Sequence, residues 1–227
     1  MEAVEAKSEM PMFQYWADRW NTSNTGWQIK GVFSLLEKHQ DVILAGKEDA
    51  QVYIPMCGTA HELKWFYAKG HRVVGVEFVE SVALKFFNDN GLPVEESVCP
   101  VLKCKIFQTP DKRIRIFVCS VLDFNGLCAG EMDIVWDRGG LSSIEESLRE
   151  RYIAVIKSFL APNYSYGLWG VIYDEGAVKE FPRSMPEGVL RKLFGDDVKL
   201  TCVEQLPPRP AGFTTALMTE CLWHVTA

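Results

Sequence analysis

Val52-Tyr53-Ile54-Pro55-Met56-Cys57-Gly58-Thr59-Ala60-His61-Glu62-Leu63-Lys64-Trp65-Phe66-Tyr67-Ala68-Lys69-Gly70-His71-Arg72-Val73-Val74-Gly75-Val76-Glu77 is the stretch that decides the fold. It reads as a strand, a tight glycine turn, a helix that Gly70 caps, and a second strand ending in a carboxylate. The near-continuous Val73-Val74-Gly75-Val76 suits a strand buried on both faces. Gly58 lets backbone approach a ligand closely, because glycine has no Cβ. Glu77 follows about 20 residues after the turn, where a carboxylate can accept both hydroxyls of an adenosine ribose. An ordinary turn with a solvated strand end would read the same way, so neighbouring segments must decide.

The turn itself narrows the ligand. A dinucleotide fingerprint needs three glycines to cradle a pyrophosphate, and a P-loop needs a lysine. Here a single glycine stands between Met56-Cys57 and Thr59-Ala60-His61. A phosphate-free adenosine cofactor, S-adenosyl-L-methionine with S-adenosyl-L-homocysteine as its product, fits better.

Outward from this unit, strands alternate with helices. Helical spacing is expected at 13–20, where Trp16 and Trp20 share a face, and over Trp27 to His39. Strands are expected at 51–56, 72–77, 103–108, 114–119, 133–137, 167–173, 198–205 and 216–225, with helices at 58–69, 81–90, 145–160 and 187–194. The turn Thr109–Arg113 marks a hairpin, and the last two strands are expected to run antiparallel. The pattern gives a single-domain α/β fold of Rossmann type, with a mostly parallel central sheet and helices on both faces. Ligands bind outside the carboxyl ends of such strands. That rule collects Met56–Gly58, Glu77, Ser120–Asp123 and Asp137–Gly140 into one site. A disordered tail over 1–12 and one domain over 13–227 are expected.

Composition bounds the rest. The 227 residues carry a net charge of −6 and are 48% hydrophobic, enough for one full core. No basic stripe points to nucleic acid, and no apolar run approaches the roughly 20 residues of a membrane span. No signal peptide is read, and 7 cysteines without zinc-ligand spacing read as reduced thiols, so a cytoplasmic protein without a metal site is expected. Cys57 invites a nucleophile reading, but only His61 lies near it, and a packing role is preferred. His71 and His224 are read as structural, and Trp65-Phe66-Tyr67 as helix–sheet packing.

The quoted stretch, Ile134-Val135-Trp136-Asp137-Arg138-Gly139-Gly140-Leu141, and Trp16-x-x-Arg19-Trp20 followed by Trp27 together resemble the thiopurine S-methyltransferase family over about residues 13–225. The resemblance implies a class I S-adenosylmethionine-dependent methyltransferase fold and methylation of sulfur on aromatic and heterocyclic thiols. It implies that Trp16, Trp20 and Trp27 form an N-terminal lid over the cofactor, with Trp27 also touching the acceptor. Met56 and Gly58 lie beside the cofactor, Glu77 takes the ribose, and Ser120 and Val121 border the adenine. Arg138 sits by the amino acid tail and the acceptor side, with Asp137 as the candidate catalytic carboxylate or as the partner that orients Arg138. The family places a basic residue near the thiol; Arg209, within Pro207–Phe213, is the candidate here. That stretch and Phe181–Pro186 depart from the mammalian pattern. A small-molecule thiol partner and a monomer are expected. A nicotinamide-dependent oxidoreductase and a non-catalytic cofactor-binding protein are the alternatives on the same fold.

Overall fold

The structure is a computed structural model that describes residues 2–174, 176, 181–210 and 216–227, with backbone alone over 2–11. In chain order the helices are α1 (Glu2–Asn21), α2 (Ser34–Lys38), α3 (Gln40–Leu44), α4 (His61–Ala68), α5 (Glu80–Asn90), α6 (Gly126–Ala129), α7 (Arg149–Lys157) and α8 (Glu187–Phe194). The strands are β1 (Gln51–Ile54), β2 (Arg72–Glu77), β3 (Glu95–Val98), β4 (Lys105–Gln108), β5 (Ile114–Val118), β6 (Met132–Arg138), β7 (Leu160–Ile172), β8 (Lys199–Gln205), β9 (Arg209–Pro210) and β10 (Leu217–Thr226).

The strands form one sheet in the order β3-β4-β5-β2-β1-β6-β7-β10-β8, with β9 on β10. The run β5-β2-β1-β6-β7 is parallel throughout. β10 is antiparallel to both β7 and β8, as expected of the last strands. β4 and β5 form the expected hairpin, and β3 extends it. Chain order reverses at β1, with β2 on one side and β6 on the other, so a crevice opens where Met56–Gly58 leaves the sheet.

Side-chain alternation fills both faces. Tyr53, Val74 and Val135 enter the cluster that holds Tyr152 and Tyr166. Val52, Ile54, Ile134 and Trp136 enter the opposite cluster with Phe66, Phe86 and Phe87. Phe66 is buried, and Trp65 and Tyr67 pack against that cluster, as expected for helix–sheet contacts.

Several expected boundaries are corrected. The helix expected over 13–20 is part of α1, whose backbone runs from Glu2 to Asn21. The helix expected over Trp27–His39 is a loop to Phe33 followed by the short α2 and α3, because Gly31 adopts φ +85° and Phe33 is extended (ψ 126°) with its N–H given to Glu62. The long helix expected over 145–160 is a 3-10 turn at Glu146–Leu148, then α7; Leu160 already pairs with Met132 in the sheet. β3 escaped notice because its residues are mostly exposed and lack apolar alternation.

Candidate active site

The turn after β1 is built by two left-handed residues, Met56 (φ +47°) and Gly58 (φ +51°). The Gly58 N–H donates to Glu77 Oε2 at 3.0 Å, and Val79 N–H donates to Glu77 Oε1 at 2.8 Å. The acidic strand end is thereby fastened to the glycine turn. Burial is the main influence on this carboxyl and pushes its pKa to about 7, against the stabilising N–H groups of Val79, Gly58 and Phe78. On the neighbouring strand, Val118 pairs with Glu77, so Ser120 and Val121 follow beside it. Ser120 Oγ accepts the Leu122 N–H at 3.1 Å, and Val121 is buried.

Aromatic side chains close over the turn. A Cβ on Gly58 would lie 2.9 Å from Trp20 Cζ2, so Trp20 packs directly on the glycine. Trp27 meets Trp16 edge-on at 5.2 Å and Trp20 at 5.6 Å between ring centroids. Trp16 also contacts Tyr15 and Phe181, at 5.1 and 5.4 Å. The Arg19 guanidinium lies over Trp27 at 5.2 Å and over Tyr15 at 5.4 Å. The three predicted tryptophans therefore come together, and Tyr15, Arg19 and Phe181 join them.

β6 sends consecutive side chains to opposite faces. Arg138 enters the crevice: its Nη1–H donates to the Trp27 carbonyl at 3.3 Å, and its Nε lies 3.3 Å from Glu62 Oε1. The second contact is a charge pair rather than an aligned hydrogen bond, since Arg138 Nε has no hydrogen-bond partner among the described residues. Asp137 points the other way, into the core. Tyr152 and Tyr166 each donate to its Oδ2 at 2.8 Å, and the Leu141 N–H donates to Oδ1 at 3.2 Å. The orienting pair expected between Asp137 and Arg138 is thus replaced by Glu62–Arg138, because neighbours on a strand face apart. Gly140 is required here, as a Cβ would lie 2.6 Å from both Asp137 Oδ1 and the Tyr152 hydroxyl.

Arg209 is not brought into this group. Its side chain is 69% exposed and pairs with Glu220, whose other oxygen accepts the Trp169 Nε1–H at 3.1 Å. Trp169 packs on Phe33 at 5.7 Å, which links Arg209 to the crevice only through a chain of contacts. Residues 211–213 of the same stretch lie outside the described residues. The Cys57 thiol is buried, and burial and Glu77 push its pKa up, which leaves it neutral. It fills the space above Gly75, where a Cβ would come within 2.7 Å of the sulfur. His71 Nδ1 accepts the Ala50 N–H at 3.2 Å, and His224 Nε2 bonds Ser165 Oγ at 2.8 Å. Among the described residues no group of three or more His, Cys, Asp or Glu is placed to hold a metal ion.

The crevice encloses about 350 Å³, open to solvent, and runs between the ends of β1 and β6 under Trp27 and Gln28. Glu62 and Arg138 line it. Glu62 Oε2 is buried without a hydrogen-bond partner among the described residues, as are Trp16 Nε1 and Arg19 Nε in the aromatic cap. Orphaned polar atoms of both signs around a crevice suit an elongated, mixed-charge ligand. Glu62 was not read from the sequence, because an acidic residue in a first helical turn is an ordinary helix former.

Residues 12–210 match the family model described as thiopurine S-methyltransferase. The chain belongs to the thiopurine S-methyltransferase family. The thiopurine S-methyltransferase of Rattus norvegicus is 33% identical over 206 residues, covering 90% of this chain and 86% of the relative. That of Oryctolagus cuniculus is also 33% identical, over 88% of this chain and 82% of its own. Among solved structures, Burkholderia thailandensis 1,6-didemethyltoxoflavin-N1-methyltransferase with bound S-adenosylhomocysteine has a TM-score of 0.65 at 15% identity, covering 99% of this chain and 92% of that one. The N-methyltransferase NodS from Bradyrhizobium japonicum, also with S-adenosylhomocysteine, has a TM-score of 0.60 at 13% identity, covering 94% and 97%. This family member is thus an S-adenosylmethionine-dependent methyltransferase with a class I fold. The fold is shared with nitrogen methyltransferases, so it leaves the acceptor atom open.

Proposed function

We propose that this methyltransferase acts on the sulfur of small aromatic or heterocyclic thiols. The observation that carries the reading is the aromatic cap, Tyr15, Trp16, Trp27 and Phe181, set beside the cations Arg19 and Arg138. Flat rings favour a flat acceptor, and guanidinium groups favour an anionic one. An aromatic thiolate is both. The cofactor, when bound, supplies a methyl group on a positively charged sulfur. Within the protein, Glu77 would take the ribose hydroxyls and Ser120–Val121 the adenine edge, while Met56 and Gly58 give the close backbone approach. Trp20 and Trp27 would exclude water and face the sulfonium. Arg138 would lower the pKa of the acceptor thiol, so that a dedicated base is not required. Asp137 would serve by holding β6 through Tyr152 and Tyr166. Arg209 would steer anionic acceptors at the rim.

Among the described residues no helix is long and apolar enough to cross a membrane. All seven cysteines are free thiols. Free thiols suit a reducing compartment and the acidic net charge disfavours nucleic acid, so we read the protein as a cytoplasmic monomer acting on a small molecule. Mass spectrometry of product tests the acceptor. Purified protein with S-adenosylmethionine is offered aromatic thiols, thiopurines, aliphatic thiols and matched nitrogen and oxygen nucleophiles. Methylated aromatic thiols are expected in excess; products confined to nitrogen or oxygen would reject the sulfur assignment.

A further inference from the structure

Glu62 is a fully buried carboxylate in the first turn of α4 that lines the crevice. Its Oε1 is used twice, by the Phe33 N–H at 3.3 Å and by Arg138 at 3.3 Å. Its Oε2 has no hydrogen-bond partner among the described residues. A buried carboxylate oxygen left without a donor is costly, and a carboxylate can only accept. The group it awaits must therefore be a donor, and a cation is the strongest one.

The sheet order says which part of the cofactor arrives there. Glu77 ends β2 and Ser120 follows β5, whereas Glu62 and Arg138 border the β1–β6 crevice on the other side of the glycine turn. From β5 to β6 is three inter-strand steps, roughly 14 Å. An extended ligand with its adenosine over β5 and β2 places its far end over β1 and β6. That far end is an α-amino acid, a zwitterion. The opposed charges of Glu62 and Arg138 are complementary to it.

We propose that Glu62 is the acceptor for the cofactor's α-ammonium group, with Arg138 beside it for the α-carboxylate. Glu62 then has two tasks. It reads the amino acid tail through Oε2, and through Oε1 it ties Arg138 and the Phe33 end of the lid loop to α4. A tail bound there joins the lid to the sheet through this one side chain. The proposal rests on the cofactor and is independent of the acceptor, so its test needs no turnover.

The test is calorimetric binding of two probes to wild type and to Glu62→Gln. S-Adenosylhomocysteine carries the tail; 5′-methylthioadenosine has the adenosine and sulfur without it. Glutamine keeps the shape and an acceptor for the Phe33 N–H but removes the charge. The expected result is a loss of about tenfold or more for S-adenosylhomocysteine, with 5′-methylthioadenosine within about twofold of wild type. Unchanged S-adenosylhomocysteine affinity would overturn the proposal, as would an equal loss for both probes. A wild type that binds neither probe would remove the cofactor site itself, a separate failure visible before any variant is made. If Glu62→Gln does not fold, wild type and Glu62→Asp are compared on S-adenosylhomocysteine and its deaminated analogue. The wild type should prefer the ammonium by about tenfold and the aspartate variant by less; a wild type that binds both alike overturns the assignment.

Discussion

Replacing Glu77 by glutamine separates charge from shape at the acidic strand end. In the folded protein its two oxygens accept the N–H groups of Gly58 and Val79, at 3.0 and 2.8 Å. Burial nevertheless lifts its pKa from 4.5 to about 7. At about 1.4 kcal/mol per pKa unit, ionising the buried group costs about 3 kcal/mol. The sign follows from proton linkage. The folded state holds this proton more tightly than the unfolded chain, so its contribution is stabilising below about pH 4.5 and is lost as the pH climbs to about 7. Ribose hydroxyls donate to the carboxylate and favour its ionised form. Binding in the acid range therefore releases a proton, and affinity should fall by up to about tenfold for each pH unit below 7. Glutamine cannot ionise, so that slope should vanish. It also turns an amide N–H₂ toward a backbone donor and forfeits charge-assisted hydrogen bonds, about 1.5–3 kcal/mol or roughly 10- to 150-fold in Kd. Calorimetry with S-adenosylhomocysteine, one pH unit on either side of 7, reads both effects. A wild-type affinity that is flat across that range, or a Glu77→Gln variant that binds as tightly as wild type, refutes the ribose assignment.

Trp27→Ala removes two edge-on ring pairs but keeps the carbonyl that Arg138 uses; cofactor affinity and acceptor KM should both worsen, by about 1–3 kcal/mol together, in steady-state kinetics. Wild-type constants would take Trp27 out of the site. Gly58→Ala forces a side chain at φ +51° to within 2.9 Å of Trp20, which should cost about 1–3 kcal/mol and lower Tm by several degrees in differential scanning calorimetry. An unchanged Tm would mean that the turn and lid are not packed as described. Asp137→Ala strands the hydroxyls of Tyr152 and Tyr166 and should cost about 2–5 kcal/mol by urea denaturation, a loss that a purely chemical role would not produce. Arg209→Ala breaks only an exposed pair, so stability should move by less than about 1 kcal/mol, while KM for anionic thiols rises; equal KM values for charged and neutral thiols would detach Arg209 from the acceptor.

The sequence by itself determined the strand–turn–helix–strand unit, because each part is signalled within a few residues. Val52–Ile54 and Val73–Val76 are apolar runs, Gly58 and Gly70 break them, and Glu77 is a lone carboxylate at an apolar strand end. The alternation of strands and helices beyond that unit, with ligands expected outside the carboxyl ends of the strands, collected Met56–Gly58, Glu77, Ser120–Asp123 and Asp137–Gly140 at one edge of the sheet. Helix lengths were less legible. The 145–160 periodicity continues through Leu160, but pairing with Met132 captures that residue for the sheet, and no local signal reports a partner so distant in sequence. Tertiary structure alone decided who meets whom. Strand alternation sends Asp137 to the tyrosines and Arg138 to the crevice, and the fold then brings Glu62 and the Trp27 carbonyl to Arg138 from two other segments. An ion pair between residues far apart along the chain has no periodicity to read; it exists only once the sheet order puts β1 beside β6.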